Sequence, residues 1–273
     1  MASTSTTRTQ PKLFFEIFDH IFAFLHPKSL IACSEAHPFF STIAERHLYH
    51  HIILARSSRF YIVGSGPGYF LMPSHLIRLL SEAPQIVNHV RVLQIELCRP
   101  ETHEELALIL PMLTALESIA LTSRHPLLWN LMVSQTLVIA LAECLRLPTL
   151  RVVHVDDLYF PLSMLDANDN MKELSFSRSS SFSMADRPDD NNPPFQLTSL
   201  KIKNIDPGYR TFFTTWAKQH ITKLQSLKCC YLYDWDELIF EFLKVCSDTL
   251  IDLDIELRLP CNASFFFYVV YLN

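Results

Sequence analysis

Glycine is nearly missing from this chain: there are 4 in 273 residues, and three of them share the stretch Gly64-Ser-Gly66-Pro-Gly68. So few glycines leave little room for loops whose backbone amides cradle phosphate. The stretch is not G-x-G-x-x-G, and Pro67 removes an amide a phosphate would need, so a turn is expected there. A basic excess is missing too. Lys+Arg number 23 against 28 Asp+Glu, a formal charge of −5, which gives no electrostatic case for binding nucleic acid. No C-x-x-C pair occurs among Cys33, Cys98, Cys144, Cys229, Cys230, Cys246 and Cys261. The number is odd and most lie in apolar runs, which fits a reducing compartment and an intracellular protein, cytoplasmic or nuclear. Residues 1–10 are Ser/Thr-rich, are expected to be disordered, and lack the apolar core of a secretory signal. The sequon Asn262-Ala-Ser264 would matter only in a secreted chain. The longest charge-free run, 126–142, contains Asn130, Ser134, Gln135 and Thr136 and reads as a buried helix, so no membrane association is expected. Apolar residues are not lacking: 49% hydrophobic against 19% charged is enough for a real core.

A spacing recurs along the chain: apolar, two residues, apolar, one residue, apolar. It fits Val90-x-x-Leu93-x-Ile95, Leu116-x-x-Ile119-x-Leu121, Leu150-x-x-Val153-x-Val155 and Met171-x-x-Leu174-x-Phe176. It fits again at Leu197-x-x-Leu200-x-Ile202, Leu224-x-x-Leu227-x-Cys229 and Leu250-x-x-Leu253-x-Ile255. The central positions stand at 93, 119, 153, 174, 200, 227 and 253, a nearly even step with one long interval after 119 and one short interval after 153. The alternation within each unit predicts a short strand with one face buried. Helical stretches fall between the strands. Thr102-x-x-Glu105 reads as a capping box before Leu106, Ile109, Leu110 and Leu113, and Asp234-x-x-Glu237 opens a second helix. Residues 209–220 form a weaker third, and 127–145 a longer helix inside the long interval. A strand and a helix in about 26 residues cannot bury their own faces, so stacked units must share one core.

Over 86–257 this pattern resembles a leucine-rich-repeat solenoid, an α/β architecture with parallel strands on the concave face and helices on the convex face. The Asn that usually follows the strand is mostly absent, although Asn204 is near that place. An ordinary α/β domain with evenly spaced strands is the alternative. Residues 178–194, rich in Ser, Asp, Asn and Pro, are expected to be a mobile, solvated loop. Residues 52–85 read as a connecting segment. The apolar stretch 258–273 lacks the polar cap a stacked array needs at its end, which suggests a truncated chain or an error in the gene structure.

Residues 11–51 differ from the rest. An apolar run of helical period spans 11–25; His26-Pro-Lys-Ser29 makes a turn with Ser29 as N-cap; a second apolar run follows at 30–34, and a third helix is expected over 41–51. Three short helices cannot cover so many apolar side chains unaided, so a partner is implied. Pro11, Glu16-Ile17, Ile21, Leu25, Leu30, Cys33-Ser34 and the stretch 39–49 resemble the divergent F-box common among fungal proteins. The pattern departs at Gln10, where the family carries Leu, and near Phe39, where it carries Trp. The resemblance implies a helical hook that inserts into the Skp-type adaptor of a cullin–RING (SCF-type) ubiquitin ligase, with Pro11, Leu13, Ile17, Ile21, Leu25 and Leu30 as adaptor contacts. A helical cap that merely closes the solenoid is the alternative for this segment.

No catalytic residue is assigned, and no cofactor or metal is expected. His47 and His51, four apart, have Leu48 where a zinc helix needs Glu. The acidic run around Asp166 and Asp169 fails as a calcium loop, with Met171 at its sixth position and Ser177 at its twelfth. Cys229 and Cys230 are expected on opposite faces of a strand. The outward strand positions instead offer a charged surface: His154, Asp156, Lys201, Lys203, Lys228, Asp252, Asp254 and Glu256. The expected function is a non-enzymatic substrate-recognition subunit, its helical hook on the adaptor and its lysines meeting an acidic segment of a client protein. The alternative is a leucine-rich-repeat interaction module with a helical cap and no ubiquitin link.

Overall fold

The structure is a computed structural model that describes residues 12–55, 68–97, 100–128, 133–165, 168–177, 196–203, 220–232, 243–258 and 267–271. Three helices form the N-terminal head: α1 (Lys12–Phe22), α2 (Pro27–Ala36) and α3 (Pro38–Leu48). The starts of α2 and α3 are set by His-Pro pairs. His26 and His37 are extended, their Nδ1 atoms accept from the Lys28 and Phe39 amides at 3.3 and 3.0 Å, and each is followed by a proline suited to the first helical position. The N-cap of α2 is therefore His26, not Ser29. The third helix starts at Pro38 and stops at Leu48, and His51 lies on a strand, so His47 and His51 do not share a helical face.

The rest is an α/β sheet of ten strands. Its members are β1 (His51–Leu54), β2 (Tyr69–Leu71), β3 (Val92–Glu96), β4 (Ser118–Leu128), β5 (Val152–Tyr159), β6 (Glu173–Ser177), β7 (Ser199–Lys203), β8 (Ser226–Leu232), β9 (Asp252–Arg258) and β10 (Phe267–Tyr271). The spatial order is β10-β9-β8-β7-β6-β5-β4-β3-β1-β2, and every pairing is parallel except β10 with β9. Two segments thus differ from the sequence reading. Residues 52–85 hold most of β1, all of β2 and helix α4 (Pro73–Glu82), and they extend the sheet beyond β3 instead of merely linking to it. Within 258–273, residues 267–271 pair with β9 as an antiparallel edge. The expected loop at 178–194, residues 1–10 and most of the expected helices at 209–220 and 234–246 lie outside the described residues.

The strands stay in phase. Leu93, Ile119, Val153, Leu174, Leu200, Leu227 and Leu253 are register neighbours in one row, and Ile95, Leu121, Val155, Phe176, Ile202, Cys229 and Ile255 in a second. Both rows face the helices. α4, α5 (His103–Ile109) and α6 (Gln135–Leu145) lie side by side and bring Leu76, Leu80, Leu106, Ile109, Leu137, Leu141 and Leu145 into the same buried cluster. A backbone device repeats at the start of the strands. The carbonyl before one strand accepts two amides from the start of the next unit: His50 from Arg91 and Val92, Arg91 from Glu117 and Ser118, Glu117 from Arg151 and Val152. It continues through Arg151, Lys172, Thr198 and Gln225, the last accepting from Ile251 and Asp252, all at 2.8–3.1 Å.

The capping box at Thr102 does not form. Thr102 already has helical dihedrals because a 3-10 turn, Pro100–Thr102, runs into α5, and its side chain caps nothing. An N-cap needs an extended backbone. Ser134 does cap α6, its Oγ accepting from the Leu137 amide at 3.4 Å, so the expected long helix at 127–145 is shorter, and residues 127–128 belong to β4.

Gly68 marks a close approach. A Cβ there would lie 2.6 Å from Cδ1 and 2.7 Å from Cγ1 of Ile53, a buried residue on the side of β1 away from the helices. Gly68→Ala is expected to destabilise the fold by about 1–3 kcal/mol through overpacking. In an Ile53→Ala background, itself destabilised by the lost packing, the added cost of Gly68→Ala should largely vanish, and a double-mutant cycle of urea melts checks it: strictly additive costs would show that the two sites do not touch.

Candidate functional site

Two surfaces carry the residues singled out from the sequence. The first is on the head. Phe18 and Phe22 of α1 turn inward with Leu25 and pack with Leu30, Ile43, Ala44 and Leu48. The aromatic contacts are edge-on: Phe18 lies 4.9 Å from Phe40 and 6.0 Å from Phe39, ring centre to ring centre. Asp19 Oδ1 accepts from His47 Nε2 at 2.8 Å and lies 3.7 Å from Arg46 Nη1, which fixes α1 on α3. Tyr49 packs against both this small core and the main one and meets Tyr69 at 5.8 Å, joining head to sheet.

The opposite side of the first helix is apolar and uncovered. Phe14 is 57% exposed, Ile17 48%, Ile21 47% and Phe24, just past the helix end, 78%. Residues 14, 17, 21 and 24 recur at helical spacing, so they form one stripe. Of the adaptor contacts implied by the F-box resemblance, Ile17 and Ile21 lie on this stripe. Leu13 is in the first turn of α1, and Pro11 lies outside the described residues. Leu25 is half-buried in the head's own core, and Leu30 is 3% exposed there. Both pack within the head, and Leu30 leaves almost no surface for a partner. Phe14 and Phe24 lie on the same stripe but were not singled out from the sequence, although the helical period counted from Ile17 reaches them.

The second surface is the side of the sheet away from the helices. Three rows of side chains run across it. One passes through Gln94, Ala120, His154, Ser175, Lys201, Lys228 and Asp254; a second through Glu96, Thr122, Asp156, Ser177, Lys203, Cys230 and Glu256; a third ends at Ser199, Ser226 and Asp252. The face is closed at one end, where Ile53, Gln94 and Thr122 are buried, and opens at His154. Gln94, Thr122 and Cys230 stand at outward strand positions yet are buried.

The eight charged or titratable residues chosen from the sequence are all brought onto this one surface, but they are not equivalent. Lys228 Nζ lies 3.8 Å from carboxylate oxygens of both Asp252 and Asp254, and Ser226 Oγ donates to Asp252 at 3.0 Å. Such half-exposed ion pairs contribute little stability, yet they commit the charge of Lys228 to its neighbours. Lys201 and Lys203 make no ion pair among the described residues. Desolvation and then the charges of Lys203 and Lys228 push the Lys201 pKa down, against Asp254. Desolvation, helped by Lys201, pushes His154 below the usual histidine range.

Other chemistry is quiet. Burial pushes the thiols of Cys144 and Cys229 up to about 12 and that of Cys246 up to about 11, so they stay protonated and unreactive. Among the described residues no group of three or more His, Cys, Asp or Glu is placed to hold a metal ion, and no helix is long and apolar enough to cross a membrane.

Desolvation lowers the pKa of His50, His51, His89 and His103 as it does that of His154. His103 is 1% exposed; its Nδ1 accepts from the Ser134 amide, and its Nε2 has no hydrogen-bond partner among the described residues. Each folded pKa lies below the unfolded value of about 6.5, so the unfolded chain binds more protons as the pH falls through that value. Stability should be level above about pH 7 and drop below about pH 6.5. Buried neutral His103 alone contributes a slope of about 1.4 kcal/mol per pH unit until its folded pKa is reached. Thermal melts from pH 8 to 5 test this; His103→Gln should flatten the acid limb, and an unchanged limb would remove His103 from the account.

No family model matches the chain, and no curated protein matches it.

Proposed function

We propose that this chain is a non-catalytic substrate-recognition subunit of an SCF-type ubiquitin ligase. On this reading the sheet and helices form a leucine-rich-repeat-like solenoid behind an F-box-like head. The head docks on a Skp-type adaptor through the α1 stripe, and the outward face of the sheet holds the client. Catalysis in such an assembly is proximity: the client's lysine is held near the charged transfer enzyme at high effective concentration.

The observation that carries the proposal is the stripe of Phe14, Ile17, Ile21 and Phe24. The head already has a complete small core of its own, yet leaves four large apolar side chains in a line on the surface. An apolar line of this kind, unneeded for packing, fits a groove in a partner, with the side chains as spaced anchors. The phased parallel strands, one per roughly 26 residues through most of the sheet, support the solenoid part of the reading.

The test is co-purification of the full chain with the adaptor, wild type against an Ile17→Asp/Ile21→Asp variant. Both positions are about half exposed, so the variant should melt within a few degrees of wild type. Anchor residues of this type are worth about 2 kcal/mol or more, so capture should weaken about thirtyfold or more. Equal capture by both proteins, or none by either, would favour a plain interaction protein with a helical cap.

A further inference from the structure

We infer that the outward face of β7–β9 selects an extended client segment carrying opposite charges about three residues apart. This rests on the reading of that face as the client site and adds what the client must look like. The sequence alone suggested that the lysines meet an acidic segment. The geometry argues against uniform charge. Lys201 and Lys203 place two positive charges on β7 with no ion-pair partner among the described residues. Across β8 and β9, one lysine, Lys228, is shared by two carboxylates, Asp252 and Asp254, so the sum there is negative. The face is therefore an electrical couple, positive on one strand and negative two strands away.

Neighbouring strands lie roughly 4.8 Å apart, so β7 and β9 are separated by about 10 Å. An extended segment in the polyproline II conformation, laid across the strands, has three residues per turn and advances about 3.1 Å per residue, so its side chains at i and i+3 point the same way and lie about 9 Å apart. A uniformly acidic segment laid across the strands would meet the β7 lysines with one carboxylate and bring the next one that faces the sheet over Asp252 and Asp254, where like charges oppose it. A segment with an acidic and a basic side chain at i and i+3 meets complementary charge at both ends, and running in either direction it can place each correctly. The β6 side leaves space for it, since Ser175 and Ser177 are the small register neighbours of Lys201 and Lys203.

The experiment is selection of random twelve-residue segments displayed against the full chain. Wild type is compared with Lys201→Gln/Lys203→Gln, with Asp252→Asn/Asp254→Asn, and with Ser175→Trp and Ser177→Trp as two separate blocks of the face, each checked by a thermal melt. The expected result is enrichment of segments with opposite charges three apart, bound about tenfold more weakly by the lysine variant and more weakly still at high salt. The aspartate variant should select uniformly acidic segments instead. Enriched segments that both tryptophans block but that lack this charge spacing would overturn the inference and leave the client face standing. Failure to enrich any segment, or enrichment that neither tryptophan affects, would overturn both.

Discussion

Phe176→Ala is expected to cost roughly 3–5 kcal/mol. Phe176 is among the largest fully buried side chains and stands in the inward row between Val155 of β5 and Ile202 of β7. Its ring fills space that no neighbour can reclaim, because each flanking strand is fixed in register by its own ladder. The loss combines apolar area returned to water with a cavity that relaxes only partly. Against a total stability of about 5–15 kcal/mol it is a large fraction. Phe176→Leu keeps most of the volume and should cost under about 1.5 kcal/mol. Urea melts give the magnitude. Hydrogen exchange gives the place: protection should fall first in β5, β6 and β7 while the amides of β3 stay slow. A loss below about 1 kcal/mol, or a uniform loss of protection, would mean that the ring does not fill the core as described.

Asn168 carries the second large effect. It is 2% exposed, its Nδ2 donates to the Leu150 carbonyl at 3.2 Å, and its Oδ1 accepts from the Asn170 amide at 2.8 Å. The unit from Val153 to Leu174 is the shortest of the series, with only a 3-10 turn, Leu162–Met164, described between β5 and β6. The side chain does the tying that a longer connection would do with backbone. Asn168→Ala takes away the buried partner of the Leu150 carbonyl and the acceptor of the half-buried Asn170 amide and should cost roughly 1–3 kcal/mol. Asn168→Asp should be worse at pH 7, since a carboxylate cannot donate to Leu150 and is repelled by it. On acidification the Asp variant should regain ground relative to wild type, as a protonated carboxyl can donate again; Ala should not. Equal pH dependence of the two variants would rule out the Asn168–Leu150 bond.

The inward rows were readable in advance because they depend on alternation, which the sequence carries residue by residue: Leu93 and Ile95, Leu200 and Ile202, Leu253 and Ile255. The parallel pairing followed from spacing, since the interval from one strand to the next exceeds the roughly 12 residues that a parallel crossover requires. What escaped was local or non-repeating. Strand β2 has only three residues and follows Gly68, so no alternation announces it. Thr102 and Ser29 have the chemistry of caps, but their backbones were assigned elsewhere by Pro100 and Pro27. On the head, the resemblance pointed to Leu25 and Leu30, while the α1 period points to Phe14 and Phe24. The eight residues taken from the sequence do lie on the outward face, but the sequence did not show that Lys228 would be drawn to Asp252 and Asp254. That pairing depends on the register of β8 against β9, strands separated in the chain by a whole unit, which only a folded structure fixes.

The chain of shared carbonyls at the strand starts has an evolutionary corollary. The acceptors from His50 to Gln225 are unevenly placed along the chain, widest between His50 and Arg91 and closest between Arg151 and Lys172, yet each makes the same two bonds. Period drifts, in other words, while phase is held. Growth or shrinkage of a crossover leaves the next strand landing on the same rung, so lineages are free to lengthen, trim or replace whatever hangs between rungs without re-aiming a single outward side chain.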